Sequence, residues 1–403
     1  MLSKYLKNIF FIVFIKRSLI SLTKLNTVIS KTSLYIIILS GILCLSCTTE
    51  QKQTVFTLEG TLHSSVPDQV MLYQAKGLNA NEFDVVDTLA VQADSTFSAS
   101  YSLEPHLYQL RINEYPDITF IADSGQTISV RYLTQEEYEV TGSPDTELFE
   151  TYEAYRMNAL EELVYPVRNP LDDLIAEDNT ENSERIEELG KEVLVAEESY
   201  RDTLLYAVQE MGTSIAIYPT MVRWDGDKHM DYYESLAADF SKVHEGLEVA
   251  NLVSEKVRIL EQVSIGGKVS EIVAPDTSGV ERSLYDNLGT YTLIDFFGSW
   301  CGPCRSESNH LGRMYSQYRD SGFEIFGFGI EFEEENWLRA IEKDNRNWMN
   351  VSTVDGYTNE IAQEYAITAL PKNFLVDENG IIVAKDIHGE ELEEKLDELF
   401  PQN

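Results

Sequence analysis

The chain has 403 residues, enough for two or three domains and at least one sizeable core. Its 43% hydrophobic and 25% charged content is that of an ordinary globular protein and excludes wholesale disorder. Of 31 basic and 68 acidic side chains, six basic and no acidic ones lie within residues 1–47, so the remainder carries a formal charge of −43. Phosphate backbones and anionic headgroups would repel such a surface, which argues against nucleic-acid binding.

The N-terminal segment carries Lys4, Lys7, Lys16, Arg17, Lys24 and Lys31 and then the apolar run Leu34–Leu45. Twelve residues at helical rise span about 18 Å, short of the roughly 30 Å hydrocarbon core of a bilayer. A basic flank, a short apolar stretch and a small residue before a cut read as a secretory signal. The alternative is an uncleaved signal anchor. Ser46-Cys47 after the run resembles the bacterial lipoprotein signal, in which the cysteine becomes the lipidated first residue. The resemblance implies a lipid anchor at Cys47 and a periplasmic, cell-envelope location. Thr48, where Asp would favour the inner membrane, favours the outer one. Cys44 stands where that family has Leu. The apolar run Ile9–Ile15 has no place in this scheme. After processing, only Cys301 and Cys304 remain of the four cysteines, too few for a disulfide framework.

Between residues 54 and 142 the chain reads as short strands: Thr54–Leu62, Gln69–Gln74, Asp84–Val91, Thr96–Tyr101, Leu107–Asn113, Ile118–Ala122, Thr127–Tyr132 and Tyr138–Thr141. Turn signals at Pro67-Asp68, Ser124-Gly125 and Gly142-Ser143-Pro144 separate them, which predicts an all-β sandwich or barrel. The pattern resembles the β-rich domain that precedes thioredoxin-like domains in Bacteroidota-type envelope lipoproteins. Its histidines, His63 and His106, are isolated, and its aromatics suit a core. From Asp145 to about Val263 the period becomes helical. Ile186, Leu189, Val193, Leu194, Tyr200, Leu204 and Leu205 share one face of a helix over Ser183–Met211, and Leu247–Val263 repeats the pattern. The acidic residues between them read as solvated faces.

The chemistry lies in the last 140 residues. Tyr291–Phe297 reads as a buried strand, followed by Gly298-Ser299-Trp300-Cys301-Gly302-Pro303-Cys304 and a helix-compatible stretch from Arg305 to Arg319. A cysteine at a helix N-terminus has its thiolate stabilised by free N–H groups and the macrodipole. A second cysteine three residues on lies one turn away and resolves a mixed disulfide on the first. Pro303 suits a first helical turn. Half of a zinc site is the alternative, but two further ligands at suitable spacing are missing and His310 stands alone.

The run IDFFGSWCGPC resembles the thioredoxin superfamily, and residues from about Ile265 to Phe400 resemble envelope reductases of the TlpA/ResA type. The resemblance implies a thioredoxin-like α/β fold with a central mixed sheet. It gives Cys301 the attacking role and Cys304 the resolving one. Asp295, five residues before Trp300, matches the buried acid that exchanges a proton with the resolving cysteine; a solvent-facing acid at a strand end is the alternative. Glu307, three residues after Cys304, matches the active-site glutamate of the ResA-like group; here the alternative is an ordinary exposed helix residue. Leu370-Pro371 matches the cis-proline beside the reactive sulfur, which with Trp300, Gly302 and Pro303 contacts substrate. Asn309 and Lys372 depart from the family, which has proline and threonine there. The stretch from Cys304 to Pro371 fits the family's extra βα insertion, with strand Phe323–Ile330, helix Asn336–Asp344, strand Val351–Val354 and helix Asn359–Tyr365. Gly327 and Gly329 form no nucleotide motif, and no cofactor is implied.

The expectation is a multidomain α+β chain: signal segment 1–47, linker 48–53, β-rich domain 54–144, helical region 145–263 and thioredoxin-like domain 264–403. Its expected function is a membrane-anchored thiol–disulfide oxidoreductase that reduces protein or small-molecule disulfides with electrons from a membrane thiol donor. By resemblance, cytochrome c maturation is one candidate task, and general disulfide repair is another. Two other readings stand beside it. A thiol peroxidase would carry Thr or Ser three residues before its cysteine, where Gly298 stands. A binding module would use the β-rich and helical parts to capture an envelope partner or glycan, with a secondary redox pair.

Overall fold

The computed structural model describes residues 55–401 except 64–67, 79, 81, 114, 178–181 and 227. Cys44, Cys47 and the whole signal segment lie outside the described residues. Eight strands come first: β1 (Val55–Thr61), β2 (Gln69–Lys76), β3 (Glu82–Ala90), β4 (Thr96–Ser102), β5 (His106–Arg111), β6 (Ile118–Ala122), β7 (Thr127–Tyr132) and β8 (Tyr138–Thr141). They form two four-stranded sheets, ordered β4-β1-β7-β8 and β3-β2-β5-β6. Alternation along β1 and β7 turns Phe56, Leu58, Ile128 and Val130 inward to meet Val70, Leu72, Leu110 and Phe120 of the second sheet. Two separate sheets around one core make a sandwich rather than a closed barrel.

The helical middle holds α1 (Pro144–Ala159), α2 (Tyr165–Ala176), α3 (Ser183–Met211), α4 (Met230–Val243) and α5 (Glu248–Gln262), with a π-helical turn at Leu160–Val164 and a 3₁₀ segment at Ile215–Arg223. The buried Ser143 caps α1: its hydroxyl accepts from the Thr146 N–H at 3.0 Å and donates to the Ile121 carbonyl at 2.6 Å. Thr146 Oγ1 in turn accepts from the Ile121 N–H at 2.9 Å, so the helix start is stitched to β6. The Tyr218 hydroxyl makes a second link by donating to the Gly77 carbonyl at 2.8 Å.

The C-terminal part contains β9 (Val273–Pro275), β10 (Glu281–Ser283), β11 (Tyr291–Phe297), α6 (Gly302–Tyr318), β12 (Phe323–Gly329), α7 (Glu334–Lys343), β13 (Met349–Val351), α8 (Glu360–Glu364), β14 (Lys372–Asp377), β15 (Ile382–Lys385) and α9 (Gly389–Leu399). The five-stranded sheet runs β13-β12-β11-β14-β15, with β11 parallel to β12 and antiparallel to β14. This is the mixed sheet of a thioredoxin-like fold. β11 is central and buried on both faces, which explains its unbroken apolar run. On one face α6 and α9 bury Leu311, Met314, Tyr318, Leu392 and Leu396 against Leu293 and Leu375. On the other, Phe296, Phe328, Phe374 and Tyr365 pack ring against ring. Replacing Ser143 by Ala removes the cap of α1 and its tie to β6. Unfolding free energy should fall by about 1–2 kcal/mol, seen as a lower denaturant midpoint at unchanged slope.

Candidate redox site

The chain leaves β11 through Gly298-Ser299-Trp300 and enters α6 with Cys301 as its N-cap, whose Sγ accepts from the Cys304 N–H at 3.2 Å. Cys301 and Cys304 are joined by a disulfide with Cα atoms 5.4 Å apart. Gly298 is required where the loop turns: a Cβ there would lie 2.8 Å from the Trp300 ring. The Trp300 indole donates to the Ile330 carbonyl at 2.9 Å and leaves the side chain 44% exposed, next to Phe332 and Tyr357. The buried Glu331 carboxylate accepts from the Ser299 N–H at 2.6 Å and from its hydroxyl at 2.7 Å, pinning the loop. Burial pushes the Glu331 carboxyl above its ordinary pKa, and the Ser299 hydrogen bonds pull the other way.

Asp295 does not face solvent at a strand end. It is 3% exposed in the middle of the sheet and ion-paired with Arg346. The same guanidinium donates to Ser308 Oγ on α6 at 2.9 Å and to Asn350 Oδ1 at 3.3 Å, and lies 3.6 Å over the Phe297 ring. Burial raises the Asp295 carboxyl above its usual range, while the Arg346 charge opposes the rise.

Glu307 is not an ordinary exposed helix residue either. One turn beyond Cys304, its carboxylate meets Nδ1 of His388 at 2.8 and 3.0 Å and receives the Gly389 N–H at 3.4 Å. Burial alone would push Glu307 up, but the imidazole beside it holds it below its ordinary value. His388 moves the other way: burial disfavours its charge, and the Glu307 carboxylate more than compensates, so its pKa is raised.

The Leu370-Pro371 peptide is cis and leads into β14. Lys372 lies 2.5 Å from Asp386 and 3.7 Å from Asp225 of the helical middle. Pro303, Glu307, Leu370, Pro371 and His388 line one cavity of about 630 Å³, whose far wall includes Trp224 and Tyr233. The expected residues Asp295, Trp300, Cys301, Gly302, Pro303, Cys304, Glu307 and Pro371 thus gather at the carboxyl end of β11, the start of α6 and the neighbouring cavity. Arg346, His388 and Glu331 belong to no motif that the sequence displays. For the first two the available signal is the carboxylate each must answer, since a buried charge needs a partner.

Residues 265–385 match the AhpC/TSA family. The thiol-disulfide oxidoreductase ResA of a Bacillus cereus strain is 30% identical over 137 residues, which cover 34% of this chain and 77% of that protein. The chain belongs to the ResA-like thiol–disulfide oxidoreductases. ResA of Bacillus thuringiensis subsp. konkukian is 29% identical over 138 residues, 34% of this chain and 78% of its own. A solved thioredoxin domain of a thiol-disulfide oxidoreductase from Bacteroides vulgatus is 34% identical, covering 34% of this chain and 97% of that domain, with a TM-score of 0.32. In this ResA-like chain the family match begins at residue 265, after the sandwich and the helical middle. Among the described residues, no helix is long and apolar enough to cross a membrane.

The Asp295–Arg346 pair makes a testable demand on this ResA-like domain. Arg346→Met strands a buried carboxylate and should cost about 3–5 kcal/mol at neutral pH. In that variant the folded-state pKa of Asp295 lies further above its unfolded value, so stability is lost as pH rises through the window between them. The deficit should therefore shrink when the pH is lowered from neutral to mildly acidic. Urea unfolding at the two pH values checks this; an equal deficit at both would remove Asp295 as the cause.

Proposed function

We propose that this protein is an envelope reductase, held to a membrane through lipidated Cys47, that reduces protein disulfides with the Cys301–Cys304 dithiol and is recharged by a membrane thiol donor. The observation that carries the reading is the Cys301–Cys304 disulfide at the N-terminus of α6, with Asp295 on the preceding strand and Glu307 one turn beyond. In the reduced state the first turn of α6 favours the Cys301 thiolate. That sulfur attacks a substrate disulfide, forms a mixed disulfide and expels one substrate thiolate. Cys304 gives up its proton to the buried carboxylates and attacks Cys301 Sγ. The mixed disulfide breaks, the second substrate thiolate leaves, and two electrons have passed to substrate. The product is the Cys301–Cys304 disulfide, which a donor dithiol reduces by the same steps reversed. Asp295 and Glu307 hold and return the proton, with Arg346 and His388 favouring their ionised forms between turnovers. Pro371 and Trp300 flank the entry and contact the substrate chain.

The reduction potential tests the direction of exchange. Equilibration with a dithiothreitol or glutathione series should place the pair near thioredoxin, about −270 mV; a value near −120 mV would make the protein an oxidant instead. Cys301→Ser should abolish turnover, while Cys304→Ser should accumulate a mixed disulfide with substrate, visible as a reducible adduct by mass. His388→Gln removes the charge that holds Glu307 down. The acid limb of the exchange rate should then move to higher pH, and an unmoved limb would take Glu307 out of the proton path. Cys47→Ala should release the chain from the membrane fraction.

A further inference from the structure

Thiol–disulfide exchange needs the incoming sulfur to approach along the S–S axis, so one sulfur of the pair must face open space. In this protein neither does: Cys301 is 0% and Cys304 3% exposed, and Gly302 and Pro303 between them are buried as well. The cover comes from outside the thioredoxin-like part. A Cβ on Gly302 would lie 2.3 Å from Oδ1 of Asp172, 3.4 Å from Cδ1 of Ile175 and 3.5 Å from Cγ of Leu171, all on α2. Behind α2, α3 closes on the next turn of α6, where a Cβ on Gly190 would sit 2.4 Å from Ser306 Oγ.

α2 is lightly held. Leu171 is its one fully buried side chain, packed with Leu189 and Val193 of α3 in a small cluster apart from the two main cores. A half-buried ion pair, Arg168 to Glu197 at 3.0 Å, adds to that hold. The helix is entered through the π-helical turn at Leu160–Val164, has Pro166 in its first turn and carries Pro170 inside. Proline lacks the N–H that an internal helical position would donate, and irregular turns of this kind yield first when a segment moves. A short element with little buried area opens at a small fraction of the global unfolding free energy.

We propose that α2 is a lid on the CGPC turn which decides what reaches Cys301: the dithiol reacts only in the fraction of molecules in which α2 has left Gly302. Leu171, Asp172 and Ile175 are then specificity-determining residues, because a substrate must occupy the surface they cover. The inference rests on the redox reading of the pair given above.

The test follows reduction of the Cys301–Cys304 disulfide by excess dithiothreitol, which becomes the cyclic disulfide as the pair becomes two thiols. The full chain is used, with acid quench and mass readout, beside amide hydrogen exchange of α2. The native chain should react at least about tenfold more slowly than the same chain in denaturant, where both sulfurs are open. Leu171→Ala removes the anchor of α2, and Arg168→Ala loosens it more gently. Whichever variant speeds α2 hydrogen exchange should speed reduction, on the order of tenfold for Leu171→Ala. A native rate within about twofold of the denatured one overturns the lid, and so does an unchanged rate in a variant whose α2 exchanges faster. A pair that dithiothreitol never converts to thiols would instead overturn the redox reading.

Discussion

A carboxylate on the central strand of a sheet, with neighbours on both sides and helices on both faces, has no water to stabilise its charge. Asp295 is in this position, and the chain answers it with Arg346 from the turn before β13. The guanidinium does more than neutralise. By reaching Ser308 on α6 and Asn350 on β13, it fixes the start of α6 relative to the sheet. The disulfide sits one turn earlier on the same helix, so the geometry of the reactive pair depends on an ion pair that touches neither sulfur. Buried pairs of this kind contribute less to net stability than to holding one arrangement, since desolvation offsets most of the Coulomb gain.

Glu307 and His388 repeat the arrangement nearer the cavity. Here the partner is an imidazole, so the neutralising charge is itself titratable, and burial and pairing oppose each other at both groups. The Glu307 carboxylate also disfavours ionisation of Asp295. Coupled acids of this kind titrate as a pair rather than as two independent groups. The fixed cation, Arg346, lies in the interior, and the titratable one, His388, lines the cavity.

Local chemistry is legible in the sequence, and long-range partners are not. A strand, CGPC and a helix follow one another without a gap, so β11 and the start of α6 can be read from a dozen residues; the helix begins three residues earlier than its pattern suggests because Cys301 itself serves as the cap. The strands of the sandwich alternate cleanly and are legible for the same reason. Short strands such as β9, β10 and β15 carry three or four residues and too little pattern to stand out. Arg346 lies 51 residues from Asp295, and His388 lies 81 from Glu307. Nothing in a one-dimensional pattern joins them, and Glu307 looks like any charged residue on a helix surface. The apolar face of α3 is evident from its period, but periodicity says that a face is covered and never by what. The seat of α2 on Gly302 belongs to that class.

That seat changes how the rest of the chain reads. A dithiol at a helix N-terminus is made reactive by unpaired N–H groups, and those same groups favour any oxygen brought near them. Asp172 Oδ1 is such an oxygen, held against the turn by Leu171 and Ile175. Burial raises the pKa of the Asp172 carboxyl, and the Arg168 charge on the same helix counters it. The closed state therefore places a carboxyl group where a substrate chain would pass, in contact with the turn that would stabilise a thiolate.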